Sequence, residues 1–211
     1  MRLWLLCGVL SSLLYAAMAI IVPLQWPAYS SLHQTVSELS AIGAPTRVLW
    51  VPLGLAYTLL VVAFGYGVWR AAAGNRLLRA SGALLIAYGL VGLAWPPMHQ
   101  REVLAAGGKT LTDTLHLVWT AVTVALMVSA MALSAAALRS WFRLYAVATI
   151  VTLFVFGQLI NLNVAGLERN LPTPWVGLWE RLLIGVFLVW IIVFAVVLAR
   201  RRTSRDVVPR P

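Results

Sequence analysis

The sequence predicts an all-α membrane protein, a bundle of six transmembrane helices with both chain termini in the cytoplasm. Three observations lead to this prediction. Of the 211 residues, 62% are hydrophobic and only 10% are charged, whereas soluble domains carry about 25% charged residues. The hydrophobic residues fall into six long uncharged runs, and the basic residues are distributed unequally between the segments that join those runs.

Each uncharged run is close to the roughly 20 residues that an α-helix needs to cross the hydrocarbon core of a bilayer. We therefore predict a single transmembrane domain over residues 1–199 and a basic cytoplasmic tail over residues 200–211. The predicted spans cover about residues 3–24, 48–69, 80–96, 113–138, 144–163 and 176–199.

The basic residues indicate which side of the membrane each connecting segment faces. Most of the 16 Lys and Arg residues lie at the chain ends or between spans two and three and spans four and five, the bias that marks cytoplasmic segments. We therefore predict a multi-pass protein of the cell membrane (plasma or inner). Despite the net charge of +10, this distribution argues against nucleic acid as a partner, and the basic tail is expected to contact anionic lipid headgroups.

The segments on the other side differ in chemistry. They contain all three histidines and every acidic residue except Asp206. Their five acidic residues balance the five basic residues Arg47, Arg101, Lys109, Arg169 and Arg181. Any polar chemistry is therefore expected on the extracytoplasmic side.

The segment "SSLHQTVSELSAIGAPTR" (residues 30–47) joins the first two spans. Thr35 and Glu38 have the spacing of a capping box, in which each residue satisfies a backbone N–H at a helix start. We favour a short amphipathic helix on the outer surface. The functional alternative is that Ser37 and Glu38 bend back over the bundle as a polar lid.

The segment "WPPMHQREVLAAGGKTLTDTLH" (residues 95–116) joins spans three and four. Two prolines end span three and leave His99 just outside it. Thr110 and Asp113 form a second capping-box pattern, and His116 lies one turn deeper on the same helix face. Two interpretations stay open: an interfacial His116 hydrogen-bonded to Asp113, or a functional site, because ionisable groups in membrane helices are costly.

The last two spans contribute four further polar residues near their outer ends. Gln158 and Asn161 share a face of span five, and interhelical hydrogen bonds are the favoured interpretation. Thr173 before Pro174 predicts the start of span six. The next two charged residues, Glu180 and Arg181, point about 100° apart, so Arg181 is expected to reach outward and Glu180 to face the bundle.

These motifs together resemble a known family. The combination of "HQTVSELSAIGAPTR", "WPPMHQ", "TDTLHLVW" and "GLWERLLIG" with six spans is similar to the bacterial and archaeal membrane family called domain of unknown function 998. The resemblance covers nearly the whole chain. It implies a six-helix membrane fold and no particular reaction.

Two hypotheses about function follow. The favoured one is non-enzymatic: an extracytoplasmic polar pocket binds a lipid headgroup or small ligand, or the bundle serves as an accessory subunit of a membrane complex. This hypothesis needs no cofactor. The candidate ligand-binding residues are Ser37, Glu38, His99, Asp113, His116, Gln158, Asn161, Glu180 and Arg181.

The alternative is a metal-dependent hydrolase or transferase that acts on lipid at the outer leaflet. His99, Asp113 and His116 would hold zinc, because three protein ligands and one open position are typical of catalytic zinc sites. Glu180 would be the general acid or base. The candidate catalytic residues are therefore His116, Asp113 and Glu180.

Overall fold

A computed structural model gives the fold, and it describes residues 2–138 and 141–206, with only the backbone for residues 202–206. The predicted tail therefore lies largely outside the described side chains. Six long helices form the bundle: α1 (Arg2–Ile21), α2 (Arg47–Ala71), α3 (Arg76–Leu93), α5 (Leu111–Leu138), α6 (Trp141–Asn161) and α8 (Val176–Asp206). Two short helices, α4 (Arg101–Ala105) and α7 (Val164–Glu168), lie between them.

Six helices in the described part of the chain are long and apolar enough to cross a membrane, which confirms the prediction of six such helices. Their bounds differ from the predicted spans by a few residues. For example, α3 begins at Arg76 rather than near residue 80, because the Asn75 side chain accepts a hydrogen bond from the Leu78 N–H (3.0 Å) and caps the helix. Which side each terminus faces stays a prediction.

The six long helices form a ring. Each packs against two neighbours, in the order α1, α2, α3, α5, α6, α8 and back to α1. The α2–α3 contact is especially close, because a Cβ atom on Gly65 would come within 2.9 Å of the Gly82 carbonyl oxygen. Small residues allow helix backbones to approach in this way.

One end of the ring is covered by the three longer connections, which we call the cap: residues 22–46, 94–110 and 162–175. The first of these contains 3-10 helices at Val22–Gln25 and Val36–Ser40. The Ile42 N–H donates to the Met98 carbonyl oxygen (2.7 Å), which joins the first and second connections. The connection between α2 and α3, the start of α1 and the end of α8 lie at the opposite end.

The half of the bundle away from the cap, which we call the packed half, has a continuous apolar core. Large aromatic side chains from three helices meet there, and their rings lie 5.0–6.0 Å apart where they contact Phe194. These side chains are fully buried: Phe64, Phe142, Phe187, Trp190 and Phe194. Near the cap, the described buried apolar residues form only smaller clusters, and that difference leaves room for the site.

Candidate functional site

A buried ion pair holds the cap together. Glu38 and Arg101 are only 2% and 8% exposed, and Arg101 Nη2 donates to Glu38 Oε2 over 2.8 Å. The same carboxylate accepts from the Thr35 N–H and hydroxyl, so the predicted capping box is present. Arg101 also donates to the Thr173 hydroxyl (2.8 Å) and to the His33 carbonyl oxygen (3.0 Å). Because buried charges need such partners, Glu38 is a structural element of the cap.

Arg181 anchors the cap to α8. Its guanidinium donates to the Ser31 carbonyl oxygen and the Tyr29 hydroxyl, both over 2.8 Å. Burial raises the pKa of Tyr29 well above its usual range. At Gly177, a Cβ atom would lie 2.2 Å from the Gln34 carbonyl oxygen, so only glycine lets the cap segment lie this close to the helix.

Asp113 belongs to a second cap network, and its partner is His99. One carboxylate oxygen accepts from the His99 backbone N–H (2.7 Å) and the other lies 2.9 Å from His99 Nδ1. The Thr110 N–H and hydroxyl also donate to Asp113, as the capping-box pattern predicts. The interpretation that His116 is hydrogen-bonded to Asp113 was wrong. The second connection folds back over the start of α5 and brings His99 to the carboxylate instead.

His116 is buried and points toward the first connection. Its Nδ1 lies 2.8 Å from the Pro96 carbonyl oxygen, and its Nε2 lies 3.3 Å from the Ser37 hydroxyl oxygen. Its ring lies between those of Trp95 and Trp119, at 6.3 and 5.9 Å between centroids. A carbonyl oxygen only accepts hydrogen bonds. Nδ1 therefore carries a proton, and in the neutral imidazole Nε2 accepts the hydrogen bond from Ser37.

Glu180 contacts the same stretch of the cap from α8. Its Oε2 accepts a hydrogen bond from the Val36 N–H over 2.5 Å. Because Ser37 follows Val36 directly, His116 and Glu180 meet the cap at adjacent residues. The expectation that Arg181 points away and Glu180 faces the bundle agrees with these contacts.

A cavity of about 1290 Å³ lies inside the ring beneath these residues. Its walls come from all six long helices and are largely apolar, with Leu55, Leu93, Val124 and Phe187 among them. The lining residues with a carboxylate or an amide, and two with a hydroxyl, lie where the cavity meets the cap: Ser37, Ser40, Gln158, Asn161 and Glu180. Deeper in the ring the polar lining groups include the hydroxyls of Tyr57, Thr123 and Ser129. The cavity is larger than the roughly 300–1,000 Å³ typical of sites for drug-sized ligands.

The amides of Gln158 and Asn161 line this cavity. Neither side chain has a hydrogen-bond partner among the residues that the structure describes, although interhelical hydrogen bonds were the favoured interpretation from the sequence. The physical reason is that the end of α6 near the cap is poorly buried, and both amide side chains are exposed there. The last buried residue of α6 is Leu153, and the two turns that follow contain none.

The chain can now be compared with known proteins. The family described as "Protein of unknown function (DUF998)" matches residues 9–197. The chain belongs to this family. The resemblance seen in the sequence is thus confirmed, and no curated protein and no solved structure matches the chain.

For this DUF998 protein, the sequence-predicted site residues separate into two groups. Ser37, Gln158, Asn161 and Glu180 line the cavity. The others hold the cap in place or connect it to the helices: Glu38, His99, Asp113, His116 and Arg181.

The predicted zinc ligands do not form a ligand set in this DUF998 protein. No group of three His, Cys, Asp or Glu side chains in residues 2–138 and 141–201 is arranged so that it could hold a metal ion. His99 Nδ1 is directed at Asp113, whereas the two ring nitrogens of His116 are directed at Pro96 and Ser37. The geometry therefore gives no support to a step through a metal.

The sequence interpretation missed Arg101 and misjudged Thr173. Arg101 was counted only as an outer charge, yet it joins the first, second and third connections. Thr173 was predicted to cap the last helix, but α8 begins at Val176 and the Thr173 hydroxyl donates to the His33 carbonyl oxygen instead (2.9 Å). The one available signal was an arginine shortly after two prolines.

Proposed function

We propose that this protein binds a membrane lipid in the cavity, with the headgroup beneath the cap and the acyl chains along the apolar walls. The observation that carries this proposal is the distribution of polar groups in the cavity: in the described part of the chain, the one lining carboxylate and both lining amides lie near the cap, and below it the walls are apolar apart from hydroxyl groups such as those of Thr123 and Ser129. A ligand for such a site needs a polar end and a long apolar end. A lipid has this form, and the surrounding helices are suited to a membrane.

The charge of the lining residues restricts which kind of lipid headgroup the cavity can bind. Among the described lining residues, Glu180 is the only one with a formal charge; the other polar ones are hydroxyls, amides and indoles. An anionic headgroup would face this carboxylate with no cation among the described lining residues, which is unfavourable at low dielectric. We therefore infer a headgroup without net negative charge that carries hydroxyl or amine groups.

The unpartnered amides of Gln158 and Asn161 support the same conclusion. Both side chains are exposed and line the cavity, so their amide groups are accessible to a ligand. A lipid headgroup or its ester carbonyl groups would supply the missing donors and acceptors. Some side chains that line the cavity on α5 and α6 are also exposed, such as Leu117 (46%) and Phe154 (54%). This exposure supports entry of the lipid from the bilayer between these two helices.

The distribution of charge supports the extracytoplasmic leaflet as the source of the lipid. The end away from the cap carries the basic residues described on α2, α3, α6 and α8: Arg70, Arg76, Arg79, Arg143, Arg200 and Arg201. By the positive-inside bias that end faces the cytoplasm, so the cap and the polar end of the cavity face outward. Anionic lipids would then contact the basic end, separately from the cavity.

The proposal is tested by filling the cavity. Gly54 lines it, and a Cβ atom there meets no other atom within 4 Å. Gly54→Phe therefore projects a ring into the cavity without a clash in the helix. Gly185→Phe is the matched control, because Gly185 is equally open but does not line the cavity.

Lipids that copurify after extensive detergent washing are quantified by mass spectrometry. We expect at least about a tenfold loss of one retained lipid class in Gly54→Phe and no loss in Gly185→Phe, since filling the pocket removes its binding volume. Equal retention in all three proteins, or a retained class that is solely anionic, would contradict the proposal.

A further inference from the structure

We propose that Ser37 and His116 form a nucleophile–base pair that cleaves an acyl ester of the lipid bound in the cavity. This inference rests on the proposed lipid binding and adds a reaction to it. Its basis is a juxtaposition that the sequence does not reveal: Ser37 lies in the 3-10 helix Val36–Ser40 of the cap, and His116 lies in the second turn of α5.

The geometry of the pair has the parts that an activated serine needs. His116 Nε2 lies 3.3 Å from Ser37 Oγ, slightly longer than the usual 2.6–3.2 Å for such pairs, which are often looser without substrate. The Pro96 carbonyl oxygen lies 2.8 Å from Nδ1 and fixes the tautomer that leaves Nε2 free to accept a proton. In serine hydrolases a third group orients the base in this way, and here a backbone carbonyl does so.

The imidazole is held in this orientation by its surroundings. The rings of Trp95 and Trp119 flank it, and the Trp119 indole N–H donates to the Val91 carbonyl oxygen (2.9 Å). His116 is itself only 5% exposed. A base that is fixed before substrate arrives contributes more to catalysis than a mobile one.

Ser37, the nucleophile, is accessible from the cavity, whereas His116, the base, is not. Ser37 is half-buried and lines the cavity, whereas His116 does not line it. A lipid ester in the cavity would therefore meet the Ser37 hydroxyl first, with the imidazole behind it. Gln158 and Asn161 line the same cavity with unpartnered amides, and they are the neutral donors available to the carbonyl oxygen as negative charge develops on it.

The reaction has two steps. The Ser37 oxygen attacks the ester carbonyl carbon while its proton moves to His116 Nε2. The bond between that carbon and the alcohol oxygen then breaks, the alcohol takes the proton from His116, and the acyl group stays on Ser37. In the second step water attacks the acyl-serine with His116 as base, which releases a fatty acid and restores the Ser37 hydroxyl.

Ser40 provides a matched control within the same 3-10 helix. It also lines the cavity, but its hydroxyl donates to the Ser37 carbonyl oxygen (2.9 Å) and not to a histidine. Because Ser40 is only 2% exposed, Ser40→Ala tests whether the loss of a neighbouring hydroxyl by itself changes the labelling of Ser37. A reagent that depends on the pair would label Ser37 only.

The experiment uses a fluorophosphonate with a long alkyl chain, added to the full-length protein in liposomes of neutral and zwitterionic lipid. We expect an adduct on Ser37, located by peptide mass spectrometry, and its absence in Ser37→Ala but not in Ser40→Ala. His116→Gln keeps a side chain that can hydrogen-bond but removes the base, and it should slow labelling by about 100-fold or more.

The outcomes separate this inference from the proposed lipid binding. An unlabelled Ser37 in protein that keeps its copurified lipid would overturn the reaction and leave the binding proposal standing. Equal labelling in His116→Gln with the fold intact, checked by thermal unfolding, would overturn the role of His116. Labelling of Ser37 in a protein whose lipid is unaffected by Gly54→Phe would overturn a cavity-bound lipid ester as the substrate.

Discussion

The capped half and the packed half of this bundle are built from the same six helices, yet different forces hold them. In the packed half, aromatic and aliphatic side chains from all six long helices fill the interior around Phe194. In the capped half, the helices surround a cavity and are held by the Glu38–Arg101 pair and the Arg181 contacts of the cap. The comparison shows how one bundle combines a packed core with a cavity.

Hydrogen bonds and ion pairs suit the capped half because they hold its walls together without filling the space between them. Van der Waals packing brings helices together by occupying the interior. A polar network at the rim of the cavity requires contact only between its own charged and hydrogen-bonding groups, so the interior can stay unfilled. The cavity can therefore persist beneath a cap whose buried charged groups are paired.

The largest expected experimental effect concerns which side of the membrane each half of the bundle faces. In a Cys7→Ser background, we predict that a membrane-impermeant thiol reagent labels Ala106→Cys in the cap of intact cells. Ala73→Cys, at the opposite end, should react only after the membrane is permeabilised. Both positions are exposed. The reverse pattern would place the cavity on the cytoplasmic side.

Truncating a large buried side chain in the packed half should destabilise the whole bundle. We predict that Phe194→Ala lowers the free energy of unfolding by about 3–5 kcal/mol, because it leaves a void among fully buried rings. Phe154→Ala is the control, since Phe154 is 54% exposed and lines the cavity. Its expected effect is below about 1 kcal/mol, measured for both by denaturant unfolding in detergent. Similar losses for both would contradict the division into two halves.

Breaking the buried ion pair should damage the cap while the packed half stays folded. Arg101→Leu leaves the Glu38 carboxylate without its cation, and we expect a loss of about 3 kcal/mol. Hydrogen exchange should rise in residues 26–46 but not in residues 187–198. Lys109→Leu breaks the exposed Lys109–Glu168 pair, whose side chains are 43% and 39% exposed, and should cost at most about 1 kcal/mol. A uniform rise in exchange along the chain would argue against a separate cap.

The smallest predicted effect concerns Tyr29 and pH. Burial raises the pKa of Tyr29 in the folded protein, while in the unfolded chain a tyrosine titrates near pH 10. The Tyr29 contribution to stability is therefore fully present below about pH 10 and is lost as the pH rises above it. Between pH 8 and pH 11 the stability difference between wild type and Tyr29→Phe should shrink by about 1.4 kcal/mol. Denaturant unfolding of both proteins at the two pH values measures this change. A stability difference that stays constant would show that Tyr29 ionises as readily in the folded protein as in the unfolded chain.

The sequence alone determined the features that depend on near neighbours along the chain. Apolar runs of about 20 residues predict helices that cross a membrane wherever they fold, and six such helices are present. The Thr35–Glu38 and Thr110–Asp113 capping boxes were also predicted, because each joins residues only three positions apart. The family followed from short motifs that span nearly the whole chain.

Only the tertiary structure decided which polar groups meet. Ser37 and His116 are 79 positions apart, and Arg101 and Glu38 are 63 apart. Such pairs depend on how three connections fold over one end of the ring, and neither hydrophobic periodicity nor local spacing carries that information. For the same reason the sequence placed Asp113 beside His116, its neighbour on the helix, whereas the folded chain brings His99 to that carboxylate. Interactions between residues close in sequence determine the helices, whereas contacts between distant segments determine which residues form the site.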